Sequence, residues 1–267
     1  MNDIITFNFI EKTDKDSILK STFLDKHAVQ TRILPFQRVD DLMEIFPLLT
    51  LNDSVLVKVP TDTVFKGQDN MRPTFFPKGS YLQIILKISR IQSLDEAIAE
   101  VKTVELEGRT KYIADHKLNL TTTASGLKYV ITKPSLKPKP LKGDTMFVNY
   151  VGRNLNDKIF DTSIADVAKA AGTYTDGRPY EPLQVIAGGG NVIAGWDEGL
   201  LLLNEGAKAT FVIPSELGYG VQGNGEIAPY STLVFDVELV KVKRIKHAPA
   251  GPAKKPLVKK KPAAKKS

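Results

Sequence analysis

The sequence contains no cysteine, which excludes disulfides, thiolate chemistry and zinc–thiolate centres. Its three histidines, His27, His116 and His247, are far apart, and we interpret each as a surface or core residue rather than a ligand or base. The first ten residues lack the basic region and apolar stretch of a signal peptide, and no run approaches the ~18–20 apolar residues of a membrane span. As written, the sequence therefore predicts a soluble, cytoplasmic protein. The cell envelope or periplasm is the alternative if the true N-terminus lies upstream.

The positive charge is concentrated at the C-terminal end. The formal net charge is +7, but residues 246–267 hold eight lysines and no carboxylate, so the rest of the chain is close to neutral. A segment this rich in lysine, proline and alanine is predicted to be a disordered tail. We interpret it as a solvated basic tail without a dedicated partner, and weak attraction to nucleic acid or anionic lipid is the alternative. No specific nucleic-acid partner is expected.

The segments 144–161 and 192–240 carry the most informative pattern. They place aromatic and aliphatic residues among signals for short strands, one short helix and tight turns. They contain none of the Ser/His/Asp, Cys/His or metal-ligand clusters on which most active sites depend. A pocket made from such residues is able to hold and twist an apolar group but not to attack it. This pattern predicts a reaction that is only a bond rotation.

Hydrophobic periodicity predicts the elements of the second half of the chain. Strands are predicted near 127–132, 145–153, 183–187, 207–213 and 232–243. Alternation and enrichment in β-branched or aromatic residues support those at 145–153 and 232–243. A short helix is predicted at about Trp196–Leu203. A helical connector is predicted over about 93–117, because Ser93 and Glu96 form an S-x-x-E capping box, and Gly108 is its weak point.

The sequence also contains a degenerate internal repeat. Three blocks of the first half align without gaps with three blocks of the second, in the same order. These are 3–23 with 144–164, 40–60 with 194–214, and 79–91 with 230–242. Because all three share one strand–helix–strand–strand pattern, we predict a duplicated fold.

Five separated motifs in the second copy identify a family. They are VNYVG, FDTS, VIAGWDEG, LGYG and LVFDVEL, and together they resemble the FKBP peptidyl-prolyl cis-trans isomerases over residues 124–245. The resemblance implies a bent antiparallel sheet wrapped around one short helix, with a pocket between them. It also implies cofactor-free rotation of X-Pro bonds in unfolded or flexible polypeptides, no metal, and a macrolide inhibitor as a second ligand.

The same resemblance implies ten site residues. The catalytic set is Asp161, Tyr219 and Trp196. The substrate-binding set is Tyr150, Phe160, Leu183, Val192, Ile193, Ile227 and Phe235. In this assignment Trp196 forms the pocket floor, Tyr219 donates its hydroxyl to a substrate carbonyl, and Asp161 lies close to the carbonyl of the rotating bond. The Ile193 N–H would hold the peptide, and Ile227 would belong to the flap loop.

Several positions depart from the family pattern. The segment 163–182 is longer than in the simplest members, and its DVAKAAG stretch is predicted to form a helical turn beside the pocket mouth. Leu183 stands where the family often has an aromatic residue. In the flap, Glu226 and Ala228 replace an apolar residue and a proline. These changes bear on substrate preference rather than on the fold.

The first copy keeps the apolar pocket positions and loses both polar groups. Asp161 corresponds to Lys20 and Tyr219 to Phe65. The remaining correspondences are Tyr150 with Phe9, Phe160 with Leu19, Trp196 with Leu42, and Phe235 with Ile84. A proline-carbonyl site needs the acid and the phenol, whereas stability needs only the apolar set. We therefore predict that the first copy folds like its partner without efficient isomerase activity.

These inferences predict an α+β protein of two FKBP-like domains. Residues 1–92 are the degenerate domain, which lacks its first strand unless the chain starts late. Residues 93–123 are the helical connector, 124–245 the isomerase domain, and 246–267 the tail. One alternative function is a chaperone or client-binding module, in which two linked grooves gain avidity and isomerisation is incidental. The tail as an anchor is a third, structural alternative.

Overall fold

The computed structural model describes residues 3–35 and 42–245. These residues form two compact units, and the division falls between Val104 and Glu105. Antiparallel sheets with helices make up the chain, as predicted for an α+β protein. The predicted tail at 246–267 lies outside the described residues. Among the residues that the structure describes, no helix is long and apolar enough to cross a membrane.

The first unit is built on a five-stranded sheet with the order β2-β1-β5-β4, and β3 also pairs with β1. The strands are β1 (Ile4–Thr13), β2 (Ile18–Ser21), β3 (Val29–Arg32), β4 (Ser54–Pro60) and β5 (Tyr81–Gln92). The helices are α1 (Thr22–Asp25) and α2 (Thr61–Val64), with 3-10 turns at Leu42–Glu44, Phe46–Leu48 and Asp69–Met71. Alternate side chains of β1 and β5, among them Ile5, Leu86 and Ile88, form its buried core.

The first unit differs from the second where the repeat predicts a helix. The structure has only two 3-10 turns there, Leu42–Glu44 and Phe46–Leu48. Pro47 explains the difference, because its nitrogen has no proton to donate and its ring disfavours a helical conformation in the preceding residue. The aligned residue of the second copy is Leu201, which imposes no such restriction. Phe46 is nevertheless buried and fills the core.

A long helix, α3 (Leu94–Asp115), follows β5. The capping box is confirmed, because the Glu96 carboxylate accepts the Ser93 N–H at 2.8 Å and the Ser93 hydroxyl accepts the Glu96 N–H at 3.2 Å. The helix continues through Gly108, which does not interrupt it.

The second unit is built on a seven-stranded sheet with the order β10-β8-β12-β11-β7-β6, and β9 also pairs with β8. The strands are β6 (Thr121–Thr122), β7 (Lys128–Lys133), β8 (Thr145–Arg153), β9 (Ile159–Thr162), β10 (Leu183–Ile186), β11 (Lys208–Ile213) and β12 (Leu233–Lys243). The helices are α4 (Ala165–Ala171) and α5 (Ala194–Leu202), with a 3-10 turn at Ser215–Leu217. All five predicted strands, the short helix and a helix at the predicted DVAKAAG turn are thus confirmed.

Helix α5 packs directly on β11 because two of its residues are glycines. A Cβ on Gly195 would lie 2.5 Å from Cγ2 of Ile213, and a Cβ on Gly199 would lie 2.8 Å from the ring of Phe211. Both distances are too short for carbon atoms in van der Waals contact, which are about 3.5–4.0 Å apart. This close approach places the buried Trp196 of α5 at one end of the core.

The second half of α3 packs on the other face of the same sheet. Tyr112 forms a small core with Val212 and Val234, and both valines have no exposed surface. Alternation along β11 explains this, because Val212 points away from the α5 side when its neighbours point towards it. Part of the predicted connector at 93–123 is therefore a packed element of the second unit.

Five strands of the second sheet (β8 to β12) pair in the same way as the five strands of the first, and β6 and β7 have no counterpart among the described residues of the first unit. The β1–β2 pairing slips by one residue after Glu11, and the β8–β9 pairing slips after the aligned residue, Gly152. A second slip lies between Thr6 and Phe7 in the β1–β5 pairing. The β8–β12 pairing slips between the aligned residues, Phe147 and Val148. Such bulges are specific local features of a ladder, and their coincidence extends the sequence repeat to the backbone.

A side-chain bridge next to these strands is also repeated. In each unit a hydroxyl accepts the N–H of the aromatic residue on the long strand and donates to the preceding asparagine. In the first unit the Thr22 hydroxyl lies 2.8 Å from the Phe9 nitrogen and 3.1 Å from the Asn8 side-chain oxygen. In the second unit the Ser163 hydroxyl lies 3.0 Å from the Tyr150 nitrogen and 3.2 Å from the Asn149 side-chain oxygen. The bridge fixes the hairpin that carries the Phe160–Asp161 pair in one unit and the Leu19–Lys20 pair in the other.

Candidate functional site

A cavity of about 430 Å³ opens in the second unit between α5 and the sheet. It has the size of a small-ligand pocket. Its lining residues are Tyr150, Phe160, Asp161, Leu183, Gly190, Asn191, Val192, Ile193, Trp196, Tyr219 and Phe235. Nine of the ten predicted site residues are therefore brought together around one cleft.

Ile227 is the predicted site residue that does not line the cavity. It is half-buried and packs against the core of the second unit. Its N–H and C=O form a pair of 2.9 Å hydrogen bonds with Asn224, which closes a tight turn in the flap. Gly223 is needed in this turn, since its φ is +64° and a Cβ there would lie 2.3 Å from the Ile227 carbonyl oxygen.

The floor and walls of the cleft are aromatic rings that meet edge to face. The Trp196 ring lies 5.1 Å from that of Tyr150 and 5.2 Å from that of Phe235, at 80° and 83°. Phe160 meets Phe235 at 5.6 Å and 86°. Edge-to-face packing favours these arrangements by about 0.5–1.5 kcal/mol per pair beyond burial, and it holds the rings in fixed orientations. The cleft is therefore preformed and apolar.

Gly152 allows two of these walls to approach the β8 backbone. A Cβ at this position would lie 2.6 Å from Phe235 and 2.9 Å from Phe160. The residue is buried, and its φ is not in the left-handed region, so space alone demands glycine. The aligned residue of the first unit is Glu11, which is consistent with the smaller Leu19 and Ile84 at the aligned wall positions.

One ionic network lies at the mouth of this apolar cleft. The Asp161 carboxylate accepts the Tyr150 hydroxyl at 2.6 Å and the Thr162 N–H at 2.9 Å. The Arg178 guanidinium pairs with the same carboxylate at 2.7 Å and donates to the Tyr150 oxygen at 3.2 Å. Asp161 is thus held in one orientation, with its charge balanced, beside the aromatic rings.

Burial of the Tyr150 hydroxyl and its bond to Asp161 raise the pKa of Tyr150 above its ordinary value near 10. The native protein therefore holds this proton to higher pH than the unfolded chain. Stability from this group is complete below pH ~10 and is lost as pH rises towards the native pKa. We expect Tyr150→Phe to remove this part of the alkaline destabilisation. Urea unfolding of both proteins between neutral pH and pH ~11 measures it. An identical alkaline slope would contradict the expectation.

Sequence reasoning missed three residues at the cleft. Gly190 and Asn191 line it, and Gly190 donates its N–H to the Asp197 carboxylate of α5 at 2.6 Å. Gly190 ends a run of three glycines, 188–190, a pattern that by itself is typical of a turn. Arg178 lies in the long segment 163–182, and no spacing in the sequence connects it to Asp161. Within residues 3–35 and 42–245, no group of three or more histidine or acidic side chains is placed to hold a metal ion.

The second half of the chain is similar to known proteins. The family model described as FKBP-type peptidyl-prolyl cis-trans isomerase matches residues 137–240. A probable FKBP-type isomerase FkpA of Neisseria meningitidis is 45% identical over 136 residues, which are 50% of this chain and 44% of the relative. FkpA of Escherichia coli is 36% identical over 167 residues, 61% of this chain and 56% of the relative. The match thus spans about half the length of these two relatives.

A smaller relative and a solved structure also resemble the second half of the chain. FK506-binding protein 2 of Candida glabrata is 41% identical over 127 residues, 45% of this chain and 84% of the relative. The crystal structure of E. coli FkpA aligns with a TM-score of 0.43 at 34% identity, over 56% of this chain and 65% of that one.

An apolar aromatic cleft between a short helix and an antiparallel sheet is typical of a domain that binds an apolar ligand group. A relative of 41% identity is matched over 84% of its own length, and this match establishes the family. The chain belongs to the FKBP-type peptidyl-prolyl cis-trans isomerases.

Proposed function

We propose that the second unit isomerises X-Pro bonds in unfolded or flexible polypeptides. The observation that carries this proposal is the juxtaposition of the Asp161–Tyr150–Arg178 network with a preformed aromatic cleft. Family membership supplies the reaction class, and the cleft supplies the place for the proline ring. The match covers about half the length of the two bacterial relatives. We therefore give isomerase activity of the whole protein as a proposal as well.

The mechanism needs neither a nucleophile nor a proton transfer. The barrier to X-Pro rotation is ~18–20 kcal/mol because the amide is conjugated. Rotation breaks the conjugation and gives a twisted amide that is less polar than either planar form. A cleft floored by Trp196 and walled by aromatic rings favours that state and excludes the water that stabilises the planar amide. Binding the twisted amide more tightly than either planar form is sufficient for catalysis.

We assign the polar groups to orientation of the peptide. Tyr219 lines the cleft and would donate its hydroxyl to a substrate carbonyl, and the Ile193 N–H would bind a second one. Asp161 would face the carbonyl of the rotating bond, and its pairing with Arg178 fixes its position before substrate arrives. A macrolide inhibitor would occupy the same aromatic cleft.

We propose that the first unit is a degenerate copy of the same fold. The shared strand pairing, the two coincident bulges and the repeated hydroxyl bridge support duplication. At the position of Asp161 it has Lys20, whose ammonium lies 5.5 Å from the Phe9 ring. The Lys20 cation cannot replace the carboxylate of Asp161, and Phe65 lacks the hydroxyl of the aligned Tyr219. This unit is expected to fold without catalysing isomerisation.

The domain boundaries follow as a proposal. Residues 1–92 are the degenerate domain and 246–267 the basic tail. We extend the isomerase domain from 124–245 to 105–245, since α3 from Glu105 onwards packs on its sheet. The linking segment is then shorter than 93–123. Cell fractionation distinguishes the two candidate locations, the cytoplasm and the cell envelope.

A proline-limited refolding assay tests the function with a matched pair of variants. We expect the full chain to accelerate the slow phase, and FK506 to abolish the acceleration. Asp161→Ala removes the network at the cleft and should lower kcat/KM by about tenfold or more, an effect of ~1.4 kcal/mol or more. Lys20→Ala, the same change at the aligned position, should leave kcat/KM unchanged. Equal activity of both variants, or no acceleration by the wild type, would refute the proposal.

The chaperone alternative rests on exposed apolar side chains of the first unit. Leu24, Met71 and Phe75 are all more than half exposed. Such side chains are able to contact unfolded polypeptides, but they offer no feature that selects proline. The Asp161→Ala variant separates the alternatives, because a chaperone would still suppress client aggregation after isomerase activity is lost.

A further inference from the structure

A buried carboxylate of α3 bonds to residues of the second unit that flank one of its loops. Glu105 is only 8% exposed, and three donors of the second unit converge on it. It accepts the Ser215 N–H, the Ser215 hydroxyl and the Thr232 hydroxyl, each at 2.7 Å. Arg109 of the same helix is 3.8 Å away and balances part of the charge. Short bonds to an ionised acceptor in a buried site are the strong kind of hydrogen bond.

The two residues that Glu105 joins are the two ends of one loop. Ser215 begins the 3-10 turn after β11, and Thr232 immediately precedes β12. Between them lie Tyr219, which lines the cleft, and Ile227, which packs on the core. One side chain from outside the loop thus fixes both of its ends.

Among residues 3–35 and 42–104, no buried carboxylate from outside the aligned loop of the first unit is seen to bond to its ends. There the Thr61 hydroxyl contacts the Ser80 hydroxyl directly at 2.9 Å and its carbonyl at 3.0 Å. Arg72, which belongs to the loop itself, adds a bond to Thr61 at 3.1 Å. In the copy that has lost the polar pocket groups, the loop ends are therefore closed by the loop's own residues. The external carboxylate occurs in the copy whose loop presents Tyr219 to the cleft.

We propose that Glu105 is a positioning residue for the isomerase site, which sets the 215–232 loop and with it the Tyr219 hydroxyl. This inference rests on the function proposed above. A displacement of ~1 Å at a substrate-orienting group is able to cost up to about 100-fold in rate, so the loop ends are a sensitive place to fasten. With this role for Glu105, α3 contributes to the function of the catalytic domain as well as to its packing.

Three variants of the full chain test the proposal. Glu105→Ala removes all three acceptor bonds. Glu105→Gln is the conservative rescue, because its carbonyl oxygen accepts the Ser215 N–H and the Thr232 hydroxyl while its NH₂ donates to the Ser215 oxygen. Tyr112→Phe is the matched control, since it deletes the bonds of the Tyr112 hydroxyl with Asp157 and Arg153, at 2.9 and 3.0 Å, and leaves the loop untouched.

The readouts are hydrogen exchange of amides 216–231 and the separate kcat and KM for a proline peptide, both well below the unfolding midpoint. We expect Glu105→Ala to speed exchange in the loop and to lower kcat/KM by about tenfold or more. Glu105→Gln should stay close to wild type in both. Tyr112→Phe should lose stability with normal loop exchange and kcat/KM. Wild-type values for Glu105→Ala, or equal losses in Tyr112→Phe, would overturn the proposal.

A further variant covers the case in which Glu105→Ala fails to fold. Thr232→Val removes one loop-end donor and preserves the shape of the residue, and it should speed loop exchange in the same segment. Unchanged exchange in Thr232→Val would overturn the proposal. The exchange measurement requires no catalysis. A wild-type protein that fails to isomerise would therefore refute the proposed function, while the exchange data would still test whether Glu105 fixes the 215–232 loop.

Discussion

Replacement of Gly152 with alanine is expected to close the cleft and to lower isomerase activity by about tenfold or more. The new methyl group would lie 2.6 Å from Phe235 and 2.9 Å from Phe160, so at least one ring must rotate or the β8 backbone must move. Overpacking of a dense interior costs about 1–3 kcal/mol in stability. The displaced ring would enter the space that the proline requires. The loss of activity should therefore exceed what the loss of stability alone explains.

Steady-state isomerase kinetics together with urea unfolding measure both effects. Gly108→Ala is the matched control, because it adds the same methyl group in α3, where the nearest neighbour is the flexible end of Leu155 at 3.3 Å. It should retain activity and, as a glycine-to-alanine change within a helix, should not destabilise the protein. Gly152→Ala with wild-type kcat/KM would show that the two rings are not held against β8 as described.

Removal of the second half of α3 is expected to have the largest effect on stability. A fragment of residues 124–245 lacks this half-helix and the two-residue strand β6, and it exposes Val212 and Val234, both fully buried in the whole unit. Exposure of each valine costs roughly 1.5–3 kcal/mol. The fragment also leaves the Ser215 N–H without its buried acceptor, at a further cost of about 1–3 kcal/mol. A loss of this size is a large fraction of the ~5–15 kcal/mol that stabilises a typical domain.

The comparison is between fragments 105–245 and 124–245, with thermal unfolding as the measurement. We expect 105–245 to unfold cooperatively and 124–245 to melt at a much lower temperature or not to fold. Equal melting temperatures would show that α3 is a mere connector, as the sequence alone predicts for residues 93–123.

Local patterns predict the strands and α5 of the second unit, because alternation and glycine placement are encoded within each element. The helix of the first unit was predicted wrongly, although Pro47 gave a local signal against it. The alignment with α5 favours a helix at this place, whereas Pro47 alone disfavours it. A proline in the middle of a predicted helix is decisive where the aligned copy has leucine, since no packing restores the missing N–H.

The candidate site could be predicted only in its apolar part and its acid. Trp196, Tyr150 and Phe235 belong to motifs whose joint spacing indicates the family. Arg178 lies in a long segment of irregular spacing, and only tertiary structure brings its guanidinium to Asp161. Glu105 falls at helical spacing from the apolar Ile98 and Val101. No local signal in the sequence indicates that three buried donors bond to its carboxylate.

The most direct test of the account is exchange NMR at equilibrium on an alanine–proline peptide, with the full chain at catalytic concentration. Cis–trans exchange of a free X-Pro bond takes tens to hundreds of seconds, so catalysis is seen as new exchange peaks. We predict that wild type and Lys20→Ala produce these peaks and that Asp161→Ala nearly abolishes them. Peaks of equal intensity for Asp161→Ala, or their loss in Lys20→Ala alone, would place the activity outside the cleft of the second unit and contradict the account.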